Sequence, residues 1–469
     1  MGSIVEMENN ISKGQAVAAL IIIIASIVVS IKMGFGTQMS LLVGTMMSVV
    51  MAMVYGTKWE EIQKYSMQNL ANGGICFFIL VLVGILVGVW LIGGTLPSLI
   101  YYGLEMISPS AIVPLTFVLC ALTSVFTGTS FGSVATMGFA MYGIAVNMGI
   151  PGEVIAGAIV SGAYFGDKMS PMSDTTNIAP NNAGTDLYSH IGSMCYTTIP
   201  ATIVCLILYV FIGMGYSGEN YDPTNVELIR NTLANNFKIS PICMLPLFLV
   251  LLLSAMKIPA MLAMGSTAVI SVVFATFTQG VPVAKIMGVA LNGFVSHTGV
   301  KMVDVILSRG GIRSMTGTIA IILFATVMGG ALKSSGIMDM FVKVLLKIVK
   351  SSRSLIVATL CYSWGIVLLT GNQMLSLIMP ASTMGDLYDE LNVDRKVLSR
   401  SVEDAGTLGS ALVPWAVASA FVTGVLGVGI GYIPYAFLCY IVPVFSVICA
   451  YTNYGVWDRN GNPLWKKNK

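Results

Sequence analysis

Charge is what this sequence has least of. Only 10% of its 469 residues are Asp, Glu, Lys or Arg, and only two, His190 and His297, are histidines. With 56% hydrophobic residues and a mean hydropathy of +0.84, it lacks the polar surface a water-soluble fold needs, and it reads as an integral membrane protein. The 24 basic residues nearly balance the 21 acidic ones, which excludes a nucleic-acid partner. No CxxC occurs. The eight cysteines (Cys76, Cys120, Cys195, Cys205, Cys243, Cys361, Cys439 and Cys449) lie singly in apolar runs and read as reduced, small hydrophobes. The 30 methionines show no repeated ligand spacing, so they read as apolar filling. No nucleophile, base and orienting residue share a recognisable motif; an enzyme is not expected, nor a cofactor. Nor does the chain open like a signal peptide: residues 1–13 carry Glu6 and Glu8, and the first apolar run is followed directly by another.

What is present is a series of apolar runs. With about 20 residues needed per crossing, spans are expected near 16–30, 41–55, 75–92, 111–126, 197–213, 242–255, 259–277, 316–332, 355–369 and 435–451. Residues 58–72, with Trp59 and paired Glu and Lys, read as an interfacial helix. Shorter, glycine-interrupted segments cover 131–148, 153–165, 374–391 and 396–413, and a polar connection, 217–238, divides the chain. The expected fold class is all-α: a polytopic membrane protein with discontinuous helices and re-entrant hairpins.

The halves match each other. A shift of 243 pairs Gly93 with Gly336, Thr127-Gly128 with Thr370-Gly371, Gly166 with Gly409, Pro171 with Pro414 and Pro200 with Pro443. Glycine and proline mark turns and breaks, so their shared register points to an internal repeat. Earlier, Leu70-Ala71-Asn72-Gly73 matches Ala290-Leu291-Asn292-Gly293, which places an insertion in the second half, at 296–318 around the Ser-Arg-Gly-Gly of 308–311. Residues 85–200 hold one basic residue, Lys168, whereas 328–443 hold eight, four of them (Lys343, Lys347, Lys350, Arg353) in one connection. Basic connections stay cytoplasmic, so opposite basicity in equivalent loops predicts repeats of opposite orientation. The expected organisation is an N-terminal segment with the first helix (1–37), repeat 1 (38–216), a polar linker (217–238), repeat 2 (239–454) and a tail (455–469).

The chain is organised around Ser161 to Asn182, SGAYFGDKMSPMSDTTNIAPNN. Asp167, Lys168, Ser170, Ser173, Asp174, Thr175, Thr176 and Asn177 crowd together there, with Gly166 and Pro171 breaking regularity. Non-helical backbone at membrane depth is tolerated where it is buried in protein or lines a polar cavity. Carboxylates, hydroxyls and amides together suit a small cation or a proton. Asp174, Thr176 and Asn177 are the candidate Na+ ligands, since Asp174 is flanked by oxygen donors, with Ser173 and Thr175 beside them. In the second half, Arg400 to Phe421 brings Glu403 and Asp404. A carboxylate in low dielectric holds a proton or a cation, so Asp167, Asp174, Glu403 and Asp404 are candidates for proton coupling. The competing reading pairs Asp167 with Lys168, and Glu403 and Asp404 with Arg400. Thr129 and Ser130 (in TGTS, 127–130) and Asn372 (in TGNQ, 370–373) read as polar tips completing the site, or as ordinary helix-end caps. The histidines read as packing or surface residues.

Four stretches then resemble a known family: GTSFGSVATMGFAMYGIAVNMGIP (128–151), AGAIVSGAYFGDKMSPMSDTTNIAPNNAGTDLYSHI (156–191), LSRGGIRSM (307–315) and LSRSVEDAGTLGSALVPW (398–415). The chain is similar in them to the NhaC sodium/proton antiporter family, within a wider ion-transporter superfamily. The resemblance implies Na+/H+ exchange by alternating access, inverted repeats and an elevator-like movement, with Ser173, Thr175, Thr176 and Asn177 holding sodium in the first repeat. It also implies a multi-pass protein of a bacterial inner membrane. One departure stands out: where the family often continues Pro-Trp-Asn-Thr, this chain has Pro414-Trp415-Ala416-Val417-Ala418, which removes an amide and a hydroxyl from a second sodium site. The family also includes an exchanger of malate and protons against lactate and sodium, so an exchanger of small organic anions or amino acids is the alternative; a channel is the third reading. The partners expected are the lipid bilayer, Na+ and H+, with a small carboxylate or amino acid in the alternative case; a homodimer is compatible.

Overall fold

The computed structural model describes residues 11–216, 223–256, 258–347 and 349–466. Among them the backbone is helical, without a strand beyond one isolated bridge between Trp457 and Pro463. In chain order the helices are α1 (Lys13–Lys32), α2 (Gly36–Val54), α3 (Trp59–Ile92), α4 (Thr95–Met106), α5 (Pro109–Thr127), α6 (Ser130–Ser133), α7 (Phe139–Asn147), α8 (Gly152–Met169), α9 (Asp174–Ala183), α10 (Leu187–Met214) and α11 (Pro223–Asn236). After the middle of the chain come α12 (Leu245–Ala255), α13 (Ala260–Gln279), α14 (Val283–Asn292), α15 (Lys301–Leu307), α16 (Thr316–Ser334), α17 (Ile337–Leu346), α18 (Ser352–Thr370), α19 (Gln373–Glu390), α20 (Arg395–Ser410), α21 (Val417–Leu426) and α22 (Phe437–Thr452). Among the described residues, six helices are long and apolar enough to cross a membrane, or eight if two sharply bent pairs, α3 with α4 and α11 with α12, each count as one span. This is a multi-pass membrane protein.

Two expectations change in detail. The interfacial helix of 58–72 and the span of 75–92 are one helix, α3, which runs through Asn72-Gly73-Gly74; apolar surroundings favour continuing the intrahelical ladder over breaking it at glycine. The polar connection of 217–238 contains α11, an amphipathic helix whose Val226, Ile229 and Leu233 are buried. Part of it, 217–222, lies outside the described residues. In the second half the counterpart of α3 is interrupted, because α14 and α16 are separated by α15 and the Ser-Arg-Gly-Gly crossing. There Gly311 has φ +79, and a Cβ on it would lie 2.1 Å from the Gly293 nitrogen; its own N–H donates to the Gly84 carbonyl of α3 at 2.7 Å. Only glycine fits that crossing. Arg309, carried by the same turn, donates to the Leu426 carbonyl at 2.7 Å and so closes the C-terminus of α21.

The shift of 243 is visible in the backbone. α5 and α18 both end at a left-handed glycine, Gly128 (φ 68) and Gly371 (φ 64). α9 and α21 do the same at Gly184 (φ 76) and Gly427 (φ 67). α8 breaks off at Met169 and α20 at Ser410, each before a short non-helical passage that leads into α9 or α21. Packing crosses the halves in part: α9 lies mainly on α19 and α20, whereas α21 packs chiefly on α16 of its own half and also touches α3, α6, α7 and α8. These two helices and the ends of α8 and α20 surround the polar centre of the protein. At the far end, the tail after α22 folds back, where Tyr196 of α10 meets Tyr454, Trp457 and Trp465.

Candidate functional site

A buried helix end makes the first part of the site. α8 stops because Ser170 takes an extended conformation before Pro171, and α9 restarts at Ser173, whose hydroxyl accepts from the Thr175 N–H at 3.3 Å. That break aims hydroxyls at Asp167, in the last turn of α8. Ser173 Oγ donates to Asp167 Oδ1 at 2.5 Å and Ser130 Oγ, from the tip beyond α5, donates to Oδ2 at 2.7 Å. Thr175 Oγ1 is 2.9 Å from Ser173 Oγ. Thr176 Oγ1 stands 2.9 Å from the Asp167 carbonyl and 3.0 Å from that of Lys168. Asp167 is only 5% exposed, and among the described residues no cationic side chain pairs with it.

The second part comes from α20 and α10. Glu403 Oε2 lies 2.6 Å from His190 Nε2, and His190 Nδ1 lies 2.7 Å from Ser399 Oγ, one turn away on α20. Glu403 Oε1 reaches Thr176 Oγ1 at 3.5 Å, which links this pair to the Asp167 hydroxyls. Asp404 pairs with Lys168 at 2.5 Å and accepts from Thr197 Oγ1 at 3.2 Å. Arg400 Nε is 4.0 Å from Asp404 Oδ2, and its Nη1 donates to the Gly455 carbonyl at 2.7 Å. Lys168, His190, Arg400, Glu403 and Asp404 are all fully buried. Buried ions persist when paired and hydrogen-bonded, so the cluster is a network and not a chance assembly of side chains.

Its charges are unevenly paired. Lys168 and Arg400 both face Asp404, and His190 faces Glu403. Asp167 meets hydroxyls alone. A buried carboxylate without a cationic partner is balanced equally well by one proton or one monovalent cation. The oxygen donors around Asp167 suit a hard cation, and among the described residues no group of three or more His, Cys, Asp or Glu could hold a metal ion.

Of the residues singled out in the sequence, Asp167, Ser130, Ser173, Thr175, Thr176, Glu403 and Asp404 come together here. Asp174 does not: it is exposed in the first turn of α9, where a carboxylate is favoured by the helix dipole. Asn177 turns back to the Pro171 and Ser173 carbonyls at 3.0 and 2.7 Å and braces the break. Thr129 and Asn372 are N-caps, accepting from Gly132 N–H at 3.4 Å and Leu375 N–H at 3.2 Å. Lys168 pairs across the halves with Asp404, rather than with its neighbour Asp167. In the second half, the place of Ser173 is taken by Ala416, an N-cap without a side-chain bond, and the place of the Ser130–Asp167 contact by Gln373 and Ser410, 3.3 Å apart. That pocket carries no charge. His190 was read as a packing or surface residue; its partner, Glu403, lies 213 positions away, so no local pattern announces it. The seven described cysteines are free; the Cys76 side chain lies outside the described residues.

An all-helical membrane protein with broken helices meeting at a buried oxygen cluster, whose Asp167 has no cationic partner among the described residues, has the features of a secondary carrier of small ions. Comparison with known proteins agrees. The Na+/H+ antiporter family profile matches residues 162–454, a stretch that contains α9, α20 and most of the site. The Na+/H+ antiporter NhaC of Alkalihalophilus pseudofirmus is 38% identical over 400 residues, 85% of this chain and 86% of the relative. The malate-2H+/Na+-lactate antiporter of Bacillus subtilis is 36% identical over 428 residues, 91% of this chain and 92% of the relative, and the NhaC antiporter of the same organism is 35% identical over 412, covering 86% and 91%. The chain belongs to the Na+/H+ antiporter family.

Proposed function

We propose that this protein exchanges Na+ for H+ across the cell membrane, and that both ions are carried on Asp167. The observation that carries the reading is a buried carboxylate with hydroxyls on both oxygens and no cationic partner. With no ion bound, Ser130 and Ser173 point their protons at Asp167. When Na+ arrives, a hydroxyl rotates and presents a lone pair instead, so the same oxygens that satisfy the anion coordinate the cation, with Thr175 as a further donor. When a proton arrives, Asp167 becomes neutral and donates to one serine. Either ion supplies the cationic partner that Asp167 lacks, and one carboxylate does not hold both at once. Exchange follows from that exclusion. Glu403 and His190, connected through Thr176, set the field at Asp167, and exposed Asp174 attracts cations to the entrance.

Alternating access requires two states of similar energy. The common register of glycine turns and the packing of α9 on α19 and α20 support repeats related by an axis in the membrane plane, with one set of broken helices sliding in an elevator-like manner against the remainder. The uncharged pocket at Gln373, Ser410 and Ala416 supports a single cation site in the first repeat.

The relative that exchanges malate and lactate favours one second reading, in which a small organic anion accompanies the ions. Arg400, whose Nη2 makes no hydrogen bond, would receive its carboxylate. In proteoliposomes loaded with a pH-sensitive dye, adding Na+ is expected to drive proton efflux with no organic solute present. Flux that appears only with a carboxylate inside would replace the first reading by the second.

A further inference from the structure

An apolar groove beside α1 ends at a cluster of cations that, among the described residues, have no acidic partner. It encloses about 380 Å³ and is lined by Leu20 and Ile24 of α1, Phe341 of α17, and Trp364 and Leu368 of α18, with Trp415 at its floor. Lys13 opens α1, Lys347 closes α17, and Lys350 and Arg353 flank the serine cap that starts α18. All four are exposed, α17 packs against both α1 and α18, and among the described residues none of the four is in an ion pair. Lys343, one turn earlier, already faces Asp339. Four exposed cations at one end of the groove, with no carboxylate paired to them among the described residues, favour an anion there.

Both α1 and α18 leave this basic corner and pass along the groove. At about 1.5 Å per residue, Leu20 stands roughly 10 Å and Ile27 roughly 21 Å from Lys13. Those depths are what an acyl chain reaches when its headgroup sits at the interface of a bilayer whose hydrocarbon half is about 15 Å thick. We infer that the groove between α1, α17 and α18 is a binding site for one anionic phospholipid, its phosphate held by Lys13, Lys347, Lys350 and Arg353 and an acyl chain lying against Trp364 and Trp415. The charges select the headgroup and the groove selects a lipid over a free anion. The site also borders the moving parts of the proposed carrier: Trp364 packs on Gly409 of α20, and the Trp415 carbonyl on Gly371.

The test is thermal unfolding of the purified full-length protein in detergent, titrated with dioleoylphosphatidylglycerol, with dioleoylphosphatidylcholine and with inorganic phosphate. The glycerol lipid is expected to raise Tm saturably while the other two do not. Lys347→Gln with Lys350→Gln weakens its apparent affinity by about twentyfold. Ile24→Trp, at an exposed position, fills the groove and removes the saturable shift. Native mass spectrometry of the wild type, which needs no variant to fold, is expected to retain phosphatidylglycerol in preference to phosphatidylcholine. Equal binding of the two lipids, an unchanged affinity in the lysine variant, or the same shift from phosphate alone would each overturn the assignment.

Discussion

Asp167→Asn is expected to abolish Na+-driven proton movement while leaving folded protein. The amide keeps the shape and satisfies Ser130 and Ser173, but it neither takes up a proton nor supplies the charge that makes the pocket short of one cation. Losing a charge-assisted contact of about 3 kcal/mol corresponds to a fall on the order of 100-fold in cation affinity, and the loss of the titrating oxygen removes the proton arm altogether. Asp174→Asn, on the exposed first turn of α9, is the matched control and should retain most of the exchange. Fluorescence of a pH-sensitive dye in proteoliposomes separates them. An inactive Asp174→Asn beside an active Asp167→Asn would move the ion site to the start of α9.

The second large effect concerns the buried pair that joins the halves. Lys168→Met leaves Asp404 without its cation, and Asp404→Leu strands Lys168; at zero exposure each is expected to destabilise by about 3–5 kcal/mol. The double variant replaces both ions by apolar groups and should recover most of that loss, because the penalty arises from the unpaired charge rather than from the missing attraction. Thermal unfolding in detergent reads all three. A double variant as unstable as the sum of the singles would mean that the pair does not act as a unit, and that Arg400 and Thr197 already balance Asp404.

Most of the fold was legible because membranes leave few choices. Apolar runs give the spans, and the glycine and proline register between the halves foretold the turn that recurs at Gly128 and Gly371; the same shift relates the turns at Gly184 and Gly427. The break at 170–173 was legible for the same reason: polar residues with Pro171 cannot continue a lipid-facing helix. What sequence could not show is partnership. Lys168 lies beside Asp167 in the chain, yet successive residues on a helix point about 100° apart, so Lys168 faces α20 and Asp167 faces the serines. His190 joins Glu403 only because α10 packs along α20. Asp174 drew attention by its polar neighbours, but position N1 of α9 turns its side chain outward while the hydroxyls beside it turn in.

The central claim is that one carboxylate serves both ions, and its most direct test is the dependence of Na+ affinity on pH. Initial rates of exchange in proteoliposomes, measured over a range of Na+ concentrations at several pH values, are expected to show an apparent KM for Na+ that rises as pH falls. The rise approaches about tenfold per pH unit in the acid range, with an unchanged maximal rate, as competition for one site requires. An apparent KM independent of pH, with a maximal rate that falls instead, would contradict the account and assign Na+ and H+ to separate groups.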